Sequence, residues 1–144
     1  MTPREFDRNV VQARLRLIDE LLDDLDRAGE LEANMLQEDR MLRHAVERIL
    51  SQIVELAVSI NGHVSATVLG EAPKDYRSSF QLAATAGLIE SELADRLQPS
   101  VGLRNVLAHE YVDIDLTMVA EAARRTKSGY RAYVRAAAAW LQHE

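Results

Sequence analysis

The chain contains no cysteine, only three proline and six glycine residues, and few aromatic residues. The absence of cysteine excludes a disulfide framework, a thiolate nucleophile and a Cys-ligated zinc site. The scarcity of glycine and proline, in a sequence rich in Ala, Leu, Glu and Arg, favours helices over turn-rich sheets. No run approaches the roughly 18 apolar residues of a membrane span, and the N-terminal MTPREFDRN has no apolar signal core. We therefore expect a soluble, cytoplasmic, all-α protein.

The length of the chain predicts the number of domains, and its net charge limits the kind of nucleic-acid site it can have. A chain of 144 residues is about one domain long and can bury a single core, so we expect one domain over residues 1–144. The formal net charge of -6 argues against a general polyanion binder, because nucleic-acid binding draws on a positive surface to displace counterions. Any RNA site in this chain must therefore be locally basic.

Apolar residues spaced three and four positions apart predict two long helices in the first half of the chain. The first helix should end near Gly29. The second should end at Asn61-Gly62, where glycine can adopt the left-handed conformation that terminates helices. Residues 63–74 lose the period and contain glycine and proline, which predicts a loop.

The second half of the chain predicts two shorter helices before a long final one. Asp75 can cap a helix that reaches Gly87, and another helix should begin near Glu90. Proline lacks a backbone donor and clashes with the preceding turn, so this helix should either kink or restart at Pro99. In both cases residues 100–111 are predicted to be helical. The expected architecture is an up-and-down bundle of about five helices, which by itself says nothing about activity.

The final helix, for which Asp115 is a candidate cap, should carry an apolar face and a basic face side by side. The apolar face consists of Leu116, Ala123, Tyr130, Val134, Ala137 and Leu141. The basic face consists of Arg124, Lys127, Arg131 and Arg135. The basic face could follow an RNA backbone, although a simply solvated helix face is the alternative.

The segment RNVLAHEY, residues 104–111, combines polar side chains with helical spacing. At about 100° per residue, Arg104 and Tyr111 lie within about 20° of each other, and Asn105 and His109 within about 40°. They form two adjacent columns on one helix. Taken singly, the arginine could be an ion-pair partner, the histidine a half-buried spacer and the tyrosine a core aromatic residue. Leu103, just before the segment, and Val106 and Leu107 within it should face the core instead.

The pattern Arg-x-x-x-x-His-x-Tyr, with asparagine directly after the arginine, resembles the motif of HEPN domains, in particular the HepT toxins. The resemblance covers nearly the whole chain. RHAVERILSQIVELAVSINGH is similar to the second long helix of that family, and DYRSSFQLAATAGLI to the segment after its loop. LADRLQPSVGLRNVLAHEYVDID is similar to its motif helix and the turn that follows.

The resemblance implies a metal-independent endoribonuclease without a cofactor, which works as a homodimer with the two motif helices in a shared cleft. RNA supplies its own nucleophile, the 2'-hydroxyl, so the enzyme has only to move protons and to stabilise charge on the phosphate. Arg104 would bind the scissile phosphate through its planar fork, and His109 would act as general acid or base. Asn105 would orient the imidazole or bind the phosphate, although a helix cap or a dimer contact would explain it equally well.

The phenol of Tyr111 could hydrogen-bond the substrate, but the resemblance also implies a regulatory role for this residue. It would accept AMP from a partner nucleotidyltransferase antitoxin of the MNT type. AMP beside Arg104 would add bulk and negative charge, and so would repel RNA from the phosphate site. The acidic residues of the first helix are expected to be solvated, but they could also dock a basic antitoxin: Asp19, Glu20, Asp23, Asp24 and Asp26.

Two other functions remain open. A non-catalytic HEPN-like dimer could bind a nucleotide or a partner protein without cutting RNA, which would suit the acidic net charge. A bundle metalloprotein could use His109 with carboxylates, but no Glu-x-x-His pairs of the kind found in bundle metal sites recur in the sequence, and we expect no metal.

Overall fold

The computed structural model describes residues 7–109 and 113–143, and this part of the chain is all helical, as predicted. It contains six helices rather than about five, because a short helix precedes the second long one. They are α1 (Arg8–Arg27), α2 (Ala33–Glu38), α3 (Arg40–Leu69), α4 (Tyr76–Thr85), α5 (Ser91–His109) and α6 (Leu116–Gln142). The sequence period misses α2 because it is only six residues long and buries a single side chain, Leu36.

The long helices α1, α3 and α6 enclose the core, and the shorter helices pack around them. α1 contacts both α3 and α6, α4 contacts α3 and α5, and α5 contacts α3 and α6. α1 and α6 run antiparallel, since Arg8 at the start of α1 lines the same pocket as Gln142 at the end of α6, while Gly29, just after α1, meets Lys127. Within the described residues, no helix combines the length and the apolar character that crossing a membrane requires. This packing surrounds α5, the motif helix that carries Arg104, Asn105 and His109, with α3, α4 and α6.

The prediction that the second long helix ends at Asn61-Gly62 is wrong, and so is most of the predicted loop over residues 63–74. α3 continues for two more turns and ends at Gly70, whose φ of 70° is the left-handed conformation expected of a helix-ending glycine. Val64 and Ser65 are fully buried in the extension. Packing of these turns outweighs the roughly 0.5–1 kcal/mol that a glycine inside a helix costs relative to alanine.

A buried polar contact explains why Asn61 belongs inside the helix. Its side chain is completely buried, and its amide nitrogen donates to the Ser79 hydroxyl of α4 at 3.2 Å. The Tyr133 hydroxyl of α6 donates to the Asn61 amide oxygen at 2.7 Å. Burial raises the pKa of Tyr133 well above its ordinary value, so this phenol remains a donor. Asn61 therefore joins α3, α4 and α6.

The other predicted helix boundaries are confirmed within the described residues; the predicted helix over residues 100–111 is confirmed as far as His109, and residues 110–111 lie outside them. α1 ends just before Gly29, and Asp75 caps α4 by accepting a hydrogen bond from the Ser78 backbone N–H at 2.7 Å. Asp115 caps α6 by accepting from the Thr117 backbone N–H at 2.9 Å. α5 continues as one helix through Pro99, so it neither stops nor restarts there.

Candidate active site on α5

Arg104 lies in the second half of α5, and its guanidinium is fixed by contacts from three directions. Its Nη2 donates to Glu55 Oε1 on α3 at 2.7 Å, and its Nη1 donates to the Asn105 side-chain oxygen at 3.3 Å. The guanidinium carbon lies 4.9 Å from the centre of the Tyr76 ring, within the range of a cation–π interaction. The side chain is 21% exposed, so it remains accessible from solvent while it is held in place.

His109 is the last residue of α5, and it is exposed. It lies five residues after Arg104, which corresponds to about 7.5 Å along the helix and about 140° around it. The two side chains therefore leave α5 in different directions. Asn105 is also exposed, and its side chain contacts Arg104 rather than His109. Tyr111 lies outside the described residues.

The apolar side of the motif segment agrees with the prediction at two positions out of three. Leu103 and Leu107 pack against the core. Val106 is half-buried and instead lines an open apolar groove of about 320 Å³ between α5 and α6. The motif helix is thus anchored by one face, with Arg104 on another.

Glu55 and Tyr76 are site residues that the sequence reasoning missed. Glu55 is one of many charged residues on a long amphipathic helix, and nothing in its spacing marks it as a partner of Arg104. Tyr76 follows the capping residue Asp75, and its position predicts only the start of α4. Both contacts depend on how α3, α4 and α5 pack, which the period of a single helix does not reveal.

The predicted basic face of α6 is largely engaged within the chain. Arg124 donates to the Leu31 carbonyl at 3.1 Å, and Lys127 donates to the Gly29 carbonyl at 3.1 Å. Both acceptors follow α1, so these cations tie the α1–α2 connection to α6. Arg135 is exposed.

Arg131 pairs with three carboxylates of the acidic face of α1: Asp19 at 2.6 Å, Asp23 at 2.8 Å and Asp26 at 2.9 Å. These carboxylates were expected to be solvated or to meet a partner protein. In the structure they bind the same chain. Hydrogen bonds to Asp23 and Asp26 raise the pKa of the Arg131 guanidinium, although burial opposes the change. Among the described side chains, no cluster of three His, Asp or Glu residues could hold a metal ion.

Solved structures first define the class of fold. The tri-AMPylated Shewanella oneidensis HEPN toxin in complex with MNT antitoxin superposes with a TM-score of 0.80 at 22% identity, over 90% of this chain and 97% of that chain. The Bacillus subtilis cytosolic protein YutE, described as of unknown function, superposes with a TM-score of 0.82 at 13% identity, over 96% of this chain and 92% of that chain. The chain has the HEPN toxin fold.

Sequence comparison then gives the family. The model of the "Ribonuclease HepT-like" family matches residues 15–137. A tRNA nuclease HepT from Aphanizomenon flos-aquae is 32% identical over 127 residues, which are 88% of this chain and 86% of that protein. An mRNA nuclease HepT from Shewanella oneidensis is 26% identical over 103 residues, 72% of this chain and 77% of that protein. The chain belongs to the HepT-like ribonuclease family, which confirms the resemblance drawn from RNVLAHEY.

Proposed function

We propose that this chain is a metal-independent endoribonuclease toxin of a HepT/MNT pair, with Arg104 and His109 as its catalytic residues. Membership of a ribonuclease family supports the activity. The single observation that carries the assignment of Arg104 as a catalytic residue is the environment of its guanidinium. A guanidinium oriented by Glu55, Asn105 and Tyr76 and still reachable from solvent is suited to bind a phosphate.

In the proposed reaction the 2'-hydroxyl of the RNA attacks the adjacent phosphorus and loses its proton to a base. The bond from phosphorus to the 5'-oxygen breaks, and that oxygen receives a proton from an acid. The products are a 2',3'-cyclic phosphate and a 5'-hydroxyl. Arg104 stabilises the charge that develops on the phosphate oxygens, and His109 moves a proton. Asn105 contributes by orienting Arg104, which it contacts directly.

Dimerisation completes the site in this proposal. Arg104 and His109 leave α5 about 140° apart, so one helix surrounds a phosphate poorly. Two motif helices that face each other across a two-fold axis would place the arginine of one subunit near the histidine of the other. The active form is therefore a homodimer.

Tyr111 is the proposed control point, and the partner is an MNT-type nucleotidyltransferase antitoxin. A solved neighbour is described as a tri-AMPylated HEPN toxin in complex with MNT antitoxin. In the present chain the Tyr111 oxygen would attack the α-phosphorus of ATP, with pyrophosphate leaving. Incubation with the cognate enzyme and ATP should raise the mass by one or more AMP groups, and Tyr111→Phe should abolish that increase. An equal mass increase in Tyr111→Phe would place the modification elsewhere.

Cleavage of RNA by the purified protein in EDTA tests the proposed activity. His109→Ala should lower the rate by about 10²–10⁴-fold, the usual contribution of general acid–base catalysis. His143→Ala is the matched control, since His143 is also exposed at the end of a helix and should cleave like the wild type. Equal cleavage by wild type and His109→Ala would remove His109 from the mechanism. A wild type that forms a stable dimer and binds a partner but cuts no RNA would favour the non-catalytic alternative.

A further inference from the structure

Because the chain is acidic, it needs a locally basic surface to hold RNA. The basic face of α6 is a poor candidate for that surface, because most of its cations are engaged within the chain. The net charge of the chain is -6. Arg124 and Lys127 of α6 donate to backbone carbonyls of the connection after α1, and Arg131 pairs with carboxylates of α1. An RNA strand that reaches Arg104 therefore needs cations nearer to that residue.

An open pocket of about 410 Å³ lies between α1, α3 and the segment that precedes α4. Two cations line it, Arg14 from α1 and Lys74 from the segment before α4. Ser59 supplies a hydroxyl, and Tyr76 supplies an aromatic wall. Phosphates, ribose hydroxyls and the flat faces of bases are the groups that such a lining can bind.

Tyr76 connects this pocket to the candidate active site. The guanidinium carbon of Arg104 lies 4.9 Å from the centre of the Tyr76 ring, and Tyr76 also lines the pocket. α3 connects them a second time, because Glu55, Ser59 and Gly62 are spaced four and three residues apart and so share one side of the helix. Ser59 and Gly62 lie about 6 Å and 10 Å beyond Glu55 along its axis.

The charge balance of the pocket favours an anion. Among the described residues, neither Arg14 nor Lys74 has a carboxylate within ion-pair distance. Asp75 is the acidic residue of the lining, and its carboxylate already caps α4 through the Ser78 backbone N–H. His63 also lines the pocket, but its Nε2 accepts a hydrogen bond from the Asp7 backbone N–H and is therefore not a donor for a phosphate.

We propose that this pocket is an RNA-strand subsite, which takes the nucleotide next to the phosphate bound by Arg104. Arg14 and Lys74 bind phosphate oxygens of the strand, and the ribose or base lies against Tyr76. The contacts are to groups that every nucleotide has, so the subsite binds single-stranded RNA without selecting a base. The assignment rests on the proposed function, because it takes Arg104 as the ligand of the scissile phosphate.

Two charge-matched double variants test the subsite in the inactive His109→Ala protein. The first is Arg14→Gln with Lys74→Gln. The second is Arg16→Gln with Lys127→Gln, which removes the same two charges. Arg16 is exposed and lies about 200° around α1 from Arg14, and Lys127 is the other lysine of the chain. Fluorescence anisotropy with a short labelled single-stranded RNA gives the dissociation constant over a range of salt concentrations, and thermal melting checks that each variant is folded.

The first double variant should bind RNA at least tenfold more weakly than the parent, and the slope of log K against log salt should fall in magnitude by about 1.4, as the loss of two phosphate contacts requires. The second should keep the parental slope. Equal weakening in both variants, or no weakening in the first, would overturn the subsite. These outcomes are independent of cleavage, since the wild type can cut RNA whether or not the pocket binds it, and failure of the wild type to cut RNA would not change the binding comparison.

A second pair of variants fills the pocket without changing its charge. A Cβ atom at Gly62 would meet its nearest neighbour, the Pro73 ring, at 3.8 Å, which is ordinary contact. Gly62→Ala should therefore be tolerated and should bind RNA like the parent, whereas Gly62→Leu extends into the pocket and should weaken binding. Unchanged binding by a folded Gly62→Leu protein would contradict a strand in this pocket.

Discussion

Among the described residues, two arginines pair with carboxylates on another helix, and they differ in the number of carboxylates that each contacts. Arg131 bonds to three aspartates of α1, whereas Arg104 bonds to a single glutamate and lies over a tyrosine ring. Their side chains are almost equally exposed, at 28% and 21%. Burial therefore does not separate a structural arginine from a functional one here.

The number of carboxylates does separate them. Three aspartates more than neutralise Arg131, and the result is an ion-pair network that joins α1 to α6. One glutamate balances Arg104 and leaves several of its N–H donors for another anion, since a guanidinium has five donors. Arg131, which has more carboxylate partners, is thus less available to bind a phosphate than Arg104. The basic face of α6 is for this reason a weaker candidate for an RNA site than α5.

The largest effect on stability should come from the buried hydrogen bonds that join α3, α4 and α6 at Asn61. Tyr133→Phe leaves the buried amide oxygen of Asn61 without its donor, and should lower the free energy of unfolding by about 1–3 kcal/mol. Tyr130→Phe is the control, because its hydroxyl bonds to the half-buried Ser100 hydroxyl, which keeps the Leu97 carbonyl as a partner in the variant. Urea unfolding of both variants measures the difference. Equal losses of unfolding free energy in the two variants would mean that the hydrogen bond to Asn61 stabilises the fold no more than the hydrogen bond to Ser100.

Loss of the ion-pair network on α6 should have a moderate effect. Arg131→Gln leaves three aspartates facing each other and should lower the free energy of unfolding by about 1 kcal/mol, because a network of partly exposed pairs exceeds a single surface pair. High salt should reduce the loss. Arg135→Gln, one turn further along the same helix, should change nothing. Weaker RNA cleavage by Arg131→Gln at unchanged stability would contradict its structural role.

Neutralising the partner of Arg104 should have a smaller effect, in the opposite direction. Glu55→Gln can still accept a hydrogen bond but no longer offsets the positive charge, so RNA should bind a few-fold more tightly, equivalent to about 0.5–1 kcal/mol for a partly exposed pair. Glu47→Gln is the control, since Glu47 pairs with Arg43 within α3. Anisotropy in the inactive His109→Ala protein measures both. Weaker RNA binding by Glu55→Gln would contradict this expectation, because it would mean that the main effect of the Glu55 charge is to hold Arg104 in position.

The smallest effect should be the acid dependence of the cap on α4. The backbone and side-chain hydrogen bonds of Ser78 lower the pKa of Asp75 below its ordinary 3.8. The cap therefore stabilises the fold fully above pH 3.8, and this contribution is lost as the pH falls through the lowered value. The melting temperatures of wild type and Asp75→Asn should differ at neutral pH and converge in acid. A difference that persists in acid would exclude the ionised cap as its cause.

Local signals predicted most of the fold. Gly29, Asp75 and Asp115 end or begin helices as their chemistry suggests, because caps are decided by neighbouring residues. Asn61-Gly62 misled the prediction because its conformation is decided by Ser79 and Tyr133 on other helices. A local rule for helix ends fails where a distant partner satisfies the side chain.

The site was predictable only in part, for the same reason. Arg104, Asn105 and His109 stand in one segment, so their spacing and their resemblance to a known motif identify them. Glu55 and Tyr76 reach Arg104 from helices that are distant in sequence, and only packing brings them there. The basic face of α6 is visible in the sequence, but the carboxylates that neutralise Arg131 are more than a hundred residues away.

A matched pair of lysine substitutions tests the distinction between the two arginines most directly. Arg104→Lys keeps the charge but loses the planar fork, so RNA cleavage should fall by about 10²–10³-fold while the melting temperature stays close to that of the wild type. Arg131→Lys should cleave at the wild-type rate and melt earlier. Cleavage by Arg104→Lys at the wild-type rate, or an equal loss of cleavage in both variants, would contradict the assignment of Arg104 to the phosphate and of Arg131 to the fold.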